Sequence, residues 1–175
     1  MRLALKPYQR EAVAHLQAHP RAGLFLEMGL GKTAVTLSAI TPEMLPVLVI
    51  APKRVAEHVW PAELAKWRPD LSYQLAAGTA AKRRKALDTP ADVHIISVDN
   101  VVDVRRAYPS IVLDELSLWK NRHTRRWKLT SKLTDRATSV WGLTGTPAPK
   151  GYIDLWAQLY LLDKGERLGK YIKLS

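Results

Sequence analysis

Residues 27–33 read Glu-Met-Gly-Leu-Gly-Lys-Thr, and they are the strongest indication of the fold in this sequence. It follows a short apolar run at 23–26 and opens a helical pattern at 32–40. Glycines let the backbone turn tightly, so that successive N–H groups converge on an anion at the start of a helix. In such a loop Lys32 would reach the β- and γ-phosphates of a nucleotide, and the Thr33 hydroxyl would bind Mg²⁺.

The loop departs from the strict phosphate-loop spacing at one position, where a glycine is expected and the chain has Leu26. The alternative to a phosphate cradle is a Gly-rich turn that leaves Lys32 exposed to solvent. The order Gly-x-Gly-Lys-Thr between a strand and a helix favours the cradle. The residues expected to contact the nucleotide are Gly29, Leu30, Gly31, Lys32, Thr33 and Ala34.

A second motif places two carboxylates at the end of an apolar run. Residues 110–115 read Ser-Ile-Val-Leu-Asp-Glu. Asp114 would hold Mg²⁺ through water, and Glu115 would orient or deprotonate the attacking water. Adjacent acidic residues are common on protein surfaces, where they have no catalytic role. A pair that follows a buried strand, in a chain that also has a phosphate loop, favours a catalytic role instead. We therefore expect Lys32, Asp114 and Glu115 to form the catalytic group.

A third motif, at residues 142–147, reads Gly-Leu-Thr-Gly-Thr-Pro and ends the last apolar run. Its small hydroxyl residues could sense a γ-phosphate or hydrogen-bond the loop that carries Asp114. The alternative is a strand followed by a plain Thr/Gly/Pro turn. Because the other two motifs are present in the same chain, we expect Thr144, Gly145 and Thr146 to couple nucleotide state to the rest of the protein.

Short apolar runs alternate with longer helical patterns along the chain. The predicted strands are 23–26, 47–51, 92–97, 110–114 and 139–143, with a weaker one at 72–75, and the predicted helices are 7–18, 32–40, 55–67, 80–87, 124–135 and 152–162. Pro61 predicts a kink or a break within the third helix. The alternation predicts one doubly wound, mostly parallel α/β sheet with helices on both faces, in a single domain over residues 1–175.

The composition limits the kinds of site and partner that the chain can have. The chain has 175 residues, 47% of them hydrophobic and 25% charged, which is ordinary for a globular domain. It has no cysteine, so disulfides and cysteine-based zinc sites are excluded. No apolar run is long enough for a membrane span. The net charge of +11 favours a polyanion such as nucleic acid as partner, with a merely basic surface as the alternative.

The three motifs together resemble the N-terminal RecA-like lobe of SNF2-type superfamily 2 helicases and translocases, over almost the whole chain. Residues 28–33 have the form that motif I usually takes in this family. Residues 6–12, Lys-Pro-Tyr-Gln-Arg-Glu-Ala, resemble its Q motif, which implies that Gln9 contacts the adenine edge. The resemblance implies a RecA-like P-loop NTPase lobe with ATP and Mg²⁺ as ligands.

The resemblance also implies a track for nucleic acid. Residues 49–54 are similar to motif Ia, and residues 96–100 occupy the place of a strand end that touches the nucleic acid. Residues 119–121, Trp-Lys-Asn, stand where the family carries a Lys-Asn pair that contacts DNA. The implied contacts are made by Lys53, Arg54, Asn100, Lys120 and Asn121.

One departure from the family concerns motif II, which usually reads Asp-Glu-Ala-His and here is Asp114-Glu115-Leu116-Ser117. The two carboxylates are kept, so the chemistry of hydrolysis need not be lost. The family histidine links nucleotide state to motif III, and Ser117 is shorter and does not titrate near neutral pH. Coupling is therefore lost or carried differently. The Asp-Glu-Leu-Ser form resembles compact bacteriophage members of the family.

The resemblance implies an ATP-dependent motor lobe that binds the backbone of double-stranded DNA for translocation or remodelling, in the cytoplasm of a cell or of a phage-infected host. Nothing here resembles motifs IV to VI, so we expect a second RecA-like lobe in the full-length chain. We expect ATP hydrolase activity of that full-length protein and little from this lobe alone. A nucleotide-gated DNA-binding module without turnover and an RNA helicase lobe remain the alternatives.

Overall fold

The computed structural model describes residues 4–27, 29, 31–145 and 152–166, which form alternating strands and helices. The strands are β1 (Arg21–Phe25), β2 (Val47–Ala51), β3 (Tyr73–Ala76), β4 (Val93–Ser97), β5 (Ser110–Asp114) and β6 (Ser139–Thr144). The α-helices are α1 (Pro7–Ala18), α2 (Lys32–Ala39), α3 (Trp60–Trp67), α4 (Ala80–Asp88), α5 (Arg125–Asp135) and α6 (Tyr152–Asp163).

The six strands form one sheet in the order β1-β6-β5-β2-β4-β3, and every pairing in it is parallel. Parallel neighbours need a crossover between them, and the helices supply it. The weakly predicted strand is real: β3 is the edge strand beside β4. Just before these two strands, Ser72 and Asp92 exchange backbone-to-side-chain hydrogen bonds of 2.9 Å each.

The sheet is covered on both faces, as predicted. All five residues of β2 are buried, and successive side chains point to opposite faces. Val47 and Val49 belong to a core shared with α1, α2 and α3, whereas Leu48 and Ile50 belong to a core shared with α4, α5 and α6. The chain is therefore a doubly wound α/β domain with two apolar layers.

The predicted third helix is divided at the proline, as expected. A π-helical segment, Val55–Val59, runs directly into α3, and Pro61 lies in the first turn of α3. Proline lacks an N–H and is tolerated there because the first-turn N–H groups have no intrahelical acceptor. Single π turns within helices are frequent at functional sites, and this one lies next to the cleft described below.

Some features of the backbone are absent from the sequence pattern. Three 3-10 segments, Pro42–Met44, Val98–Asp103 and Leu116–Trp119, were not predicted, because they are too short to show a period. β1 begins at Arg21, two residues earlier than expected, because Arg21 pairs with Val140 of β6. None of the helices in the described part of the chain is both long and apolar enough to cross a membrane.

Candidate active site

The strand order brings the three motifs to one edge of the sheet. Parallel strands end at the same edge, and ligands of such sheets bind there. The phosphate-loop sequence follows β1, Asp114 ends β5, and Thr144 ends β6. Since β6 lies between β1 and β5, Thr144 stands between the glycine loop and the acidic pair.

The glycine loop leads into α2 through a left-handed residue. Gly31 has φ +81° and is the N-cap of α2, so the helix opens at Lys32. A β-carbon on Gly31 would also lie 2.5 Å from Nε2 of Gln9, so only glycine fits there. Lys32 donates from Nζ to the carbonyl of Leu26 over 3.4 Å, a long contact that a phosphate could replace.

An open cleft of about 490 Å³ lies beside this loop. It brings together both ends of the predicted nucleotide site, which are separated by some 80 residues of sequence. The predicted residues that line it are Gly29, Gly31, Lys32, Thr33, Ala34, Asp114 and Glu115, joined by Pro52, Val55, Val59 and Glu63. Leu30, the remaining predicted contact of the loop, lies outside the described residues.

Asp114 is the buried member of the acidic pair, with only 8% of its surface exposed. Burial raises the pKa of Asp114 above its ordinary value, and the charge of Glu115 acts in the same direction. The indole of Trp60 and the charge of Lys32 oppose that shift and favour the ionised form. An ionised carboxylate is costly to bury, and a bound cation would reduce that cost for Asp114.

The donor set at this end of the cleft suits Mg²⁺. Magnesium takes oxygen ligands, keeps several waters and is commonly held by one or two carboxylates together with substrate phosphates. The Thr33 hydroxyl and the Asp114 carboxylate line the same cleft. These two oxygen donors would suit the ion once a nucleotide phosphate is bound beside them.

Glu115 has an unusual backbone and two hydroxyl partners. Its φ of +68° is left-handed, a region that non-glycine residues occupy at a cost and mostly at functional sites. Its Oε1 accepts hydrogen bonds from Oγ of Ser117 over 2.9 Å and from Oγ1 of Thr144 over 3.1 Å. Thr144 therefore bonds the acidic loop, one of the two roles predicted for it. Gly145 follows Thr144 and is half-buried, whereas Thr146 lies outside the described residues.

Gln9 lies behind the glycine loop, on α1, and is buried. Its Oε1 accepts from the backbone N–H of Lys6 over 2.8 Å as part of a capping box. That bond turns its amide nitrogen toward Gly31. Gln9 therefore lies between α1 and the glycine loop, and its contact with adenine remains a prediction.

Four of the five predicted nucleic-acid residues lie at the other end of the same edge, in two grooves, and the fifth, Arg54, is exposed but lines neither groove. Lys53 follows β2, Asn100 follows β4, and both line a groove of about 400 Å³. Lys120 and Asn121 line a second groove, of about 570 Å³, beside the start of α5. Asp99 lines both grooves, which makes them neighbours.

These side chains are held to different degrees. Lys53, Arg54 and Lys120 are exposed. The amide of Asn100 donates to Oγ of Ser97 over 3.0 Å, and Oδ1 of Asn121 accepts from the backbone N–H of His123 over 2.9 Å. The two asparagines therefore shape their loops as well as present polar groups, while the cations are available to a partner.

Two side chains of the site make contacts that the sequence does not predict. Trp60 is fully buried in the core, and its indole also donates to Oδ2 of Asp114, 54 residues away in the sequence. Ser117 stands where the family carries a histidine, and its hydroxyl bonds to Glu115, a contact that the sequence does not indicate. The second position after the acidic pair is a signal for Ser117, but no sequence pattern pairs Trp60 with Asp114.

A parallel, doubly wound sheet with a Gly-x-Gly-Lys-Thr loop after β1 and an acidic pair after β5 defines a RecA-like P-loop lobe. The chain belongs to the SNF2-related domain family, whose model matches residues 8–167. The family resemblance and the RecA-like fold expected from the sequence are therefore confirmed.

Individual relatives agree with this assignment. The chain is 36% identical to protein p41 of Acyrthosiphon pisum secondary endosymbiont phage 1, over 94% of this chain and 40% of that protein. It is 30% identical to the helicase SWR1 of Candida albicans, over 93% of this chain and 11% of that protein. The solved SWI2/SNF2 ATPase core of Sulfolobus solfataricus in complex with dsDNA superposes with a TM-score of 0.81 and 26% identity, over 93% of this chain and 36% of that chain.

Proposed function

We propose that residues 1–175 form a single RecA-like lobe that binds ATP with Mg²⁺ and the backbone of double-stranded DNA, as half of a DNA-translocating ATPase. The observation that carries this proposal is the shared cleft of Lys32, Thr33, Asp114 and Glu115. Phosphate, cation and water would meet there. The relatives named above include helicases, and one solved relative is an ATPase core in complex with dsDNA.

The roles of the cleft residues follow from their chemistry. Lys32 and the first-turn N–H groups of α2 would bind the phosphates. Thr33 and Asp114 would hold Mg²⁺, which when bound neutralises charge on the β- and γ-phosphate oxygens. Glu115 would orient the attacking water and accept its proton. Gln9, in this proposal, contacts the adenine edge from α1.

The duplex would lie across the two grooves at the other end of the edge. Lys53, Arg54 and Lys120 are exposed cations, and Asn100 and Asn121 present amides beside them. Contacts of this kind address phosphates and position a duplex without specifying its sequence. The net charge of +11 supports the same conclusion, because cationic surface displaces counterions from nucleic acid.

The proposed motor needs a second lobe. The chain spans about 40% of the phage relative and 36% of the Sulfolobus core. We propose that the remaining part of the full-length protein includes a second RecA-like lobe that closes over the cleft and contributes an arginine. Such an arginine is worth roughly 10³–10⁵ in rate. We place this protein in the cytoplasm, host cytoplasm in the case of a phage.

The test compares two proteins in a coupled phosphate-release assay with and without duplex DNA. The full-length gene product should hydrolyse ATP and be stimulated by DNA, whereas residues 1–175 alone should bind nucleotide and show little turnover. A Lys32→Ala version of the full-length protein sets the background. Strong DNA-stimulated hydrolysis by residues 1–175 as a monomer would contradict the two-lobe proposal.

The same assay separates the alternatives. A full-length protein that binds DNA in a nucleotide-dependent way and releases no phosphate is a nucleotide-gated module. Stimulation by RNA duplexes of matched sequence, and not by DNA, identifies an RNA helicase lobe, because a 2′-hydroxyl distinguishes the two polymers.

A further inference from the structure

We propose that Ser117 and Thr144 form a clamp of two hydroxyls that holds the Glu115 carboxylate in position for hydrolysis. The clamp would also tie this carboxylate to the end of β6, in place of the family histidine. The inference rests on the proposed function, since Glu115 acts as a base only if the protein hydrolyses ATP. Its basis is a single oxygen, Oε1 of Glu115, which accepts from both hydroxyls.

The two donors come from different elements. Ser117 lies in the 3-10 segment Leu116–Trp119, directly after the acidic pair. Thr144 is the last residue of β6, 29 residues from Glu115 in the chain, and only 2% of its surface is exposed. The carboxylate is therefore fixed from two sides, by its own loop and by a neighbouring strand.

The packing around the clamp holds the serine in place. Leu116 is buried against Gly142 of β6, where a β-carbon would lie 2.6 Å from Cδ2 of the leucine. The absence of a side chain at Gly142 lets the 3-10 segment lie directly on the strand. At the other end of the segment, the buried indole of Trp119 donates to Oγ1 of Thr130 over 3.0 Å. Ser117 is thus carried on a segment anchored at both ends.

A clamp of this kind has a physical consequence for the glutamate. Glutamate has several rotatable bonds, and its side chain loses considerable rotamer entropy when ordered. Hydroxyl donors to an ionised carboxylate are strong hydrogen bonds, and two of them on one oxygen define its direction. Because both must be present to fix the carboxylate, removing either one should release it.

The clamp also connects the motifs. Thr144 ends the strand that lies between the glycine loop and the acidic pair, so a shift of that strand end would be passed to Glu115 through one hydrogen bond. The family histidine has a comparable linking task in the resemblance described above. Here Ser117 bonds to Glu115, and the carboxylate itself is the shared partner of Ser117 and Thr144.

The test uses the full-length gene product with duplex DNA and measures kcat and KM for ATP. It also measures the affinity for a slowly hydrolysed ATP analogue in the presence of Mg²⁺. The variants that delete a hydroxyl are Ser117→Ala, Thr144→Val and the double variant. The conservative variants Ser117→Thr and Thr144→Ser keep the hydroxyls. Thr134→Val is the matched control, because Thr134 is also buried, donates its hydroxyl to the backbone carbonyl of Ser131 within α5, and does not line the cleft.

We expect each hydroxyl deletion to lower kcat by about 10- to 100-fold, the range expected when a catalytic group is misplaced. KM and analogue affinity should stay within about twofold of wild type. The double variant should be no more than about threefold slower than the slower single variant, because one deletion already releases the carboxylate. The conservative variants should retain most of the wild-type kcat, and Thr134→Val should leave it unchanged.

Several results would overturn the clamp. Wild-type kcat in both alanine and valine variants would do so, as would losses that multiply in the double variant, or a fall in analogue affinity equal to the fall in kcat. Each of these leaves the proposed ATPase intact, since it presupposes wild-type turnover. A wild-type protein that releases no phosphate overturns the proposed function and the clamp with it.

Discussion

The indole nitrogen Nε1 of Trp60 donates a hydrogen bond to Oδ2 of Asp114 over 2.9 Å, inside the core. Trp60 is fully buried in the first turn of α3, and Asp114 ends β5. The bond favours the ionised carboxylate, against the burial that raises the pKa of Asp114. A side chain from the core thus prepares the proposed magnesium ligand, in the way that outer-shell hydrogen bonds orient metal ligands elsewhere.

Replacing this indole should weaken the binding of nucleotide with Mg²⁺. Trp60→Phe keeps an aromatic ring and removes the donor, and a hydrogen bond to a charged group contributes about 1.5–3 kcal/mol. We expect the affinity for ATP with Mg²⁺ to fall about tenfold or more and the affinity without Mg²⁺ to change little. Calorimetry in the presence of Mg²⁺ and of a chelator measures both values.

Trp141→Phe is the control for that experiment. Trp141 is also buried, and its indole donates over 3.1 Å to the carbonyl of His19. His19 precedes β1 and therefore lies at the edge of the sheet opposite to the site. Both variants should be less stable than wild type, and only Trp60→Phe should lose the additional nucleotide affinity that Mg²⁺ provides. Equal effects of the two changes on nucleotide affinity would contradict a role of Trp60 at the ligand.

Asp114 should make the folded chain less stable at neutral pH when Mg²⁺ is absent. Its pKa in the folded state is raised above the ordinary 3.8, so the unfolded chain releases this proton first as the pH rises. The contribution of a raised carboxyl group to stability is complete below its unfolded pKa and is lost as the pH rises through its folded pKa. Asp114→Asn removes that penalty and keeps an oxygen acceptor for Trp60.

The measurement is a series of thermal unfolding curves between pH 4 and pH 8 in a chelator. Asp114→Asn should raise the Tm at neutral pH, with a difference from wild type that shrinks toward pH 4, while binding of ATP with Mg²⁺ is lost. Asp99→Asn is the control, because Asp99 is exposed and paired with Arg126 over 3.1 Å. A lower Tm for Asp114→Asn at neutral pH would contradict the direction assigned to this pKa.

Lys32 should carry much of the affinity for phosphate. Lys32→Ala removes a charge-assisted contact from the loop, and we expect ATP affinity or turnover to fall roughly 10²-fold or more. The Tm should change little, because Lys32 lines the cleft and does not belong to either core. Titration calorimetry decides the point: a variant that binds ATP as tightly as wild type has no phosphate loop in the proposed sense.

Lys120 should contribute to DNA binding through charge alone. The logarithm of the binding constant should fall with the logarithm of salt concentration by roughly 0.9 per phosphate neutralised, and Lys120→Ala should reduce that slope by about one. The loss should be the same for duplexes of different sequence. Lys66→Ala, on α3 beside Trp67, is the control and should leave the slope unchanged. A strong preference for one base sequence would contradict backbone binding.

Local sequence patterns were sufficient to predict most of the strands and helices. β2 and β5 have the predicted bounds, and α1 does as well, because parallel strands are continuous apolar runs and helix caps are set by near neighbours. The break before Pro61 followed from the missing N–H of proline. Unpredicted 3-10 segments such as Val98–Asp103 have no repeating pattern that a sequence could show.

The chemistry of this edge of the sheet can be predicted from short stretches of sequence: a glycine loop with Lys32, two carboxylates after a buried strand, and Thr144 at the end of another strand. These depend on short stretches in which each residue is set by its neighbours. The bonds that arrange the site join distant positions, Trp60 with Asp114 and Thr144 with Glu115. Only the strand order β1-β6-β5-β2 brings those positions together, because side chains 29 or 54 residues apart meet only once the strands have packed.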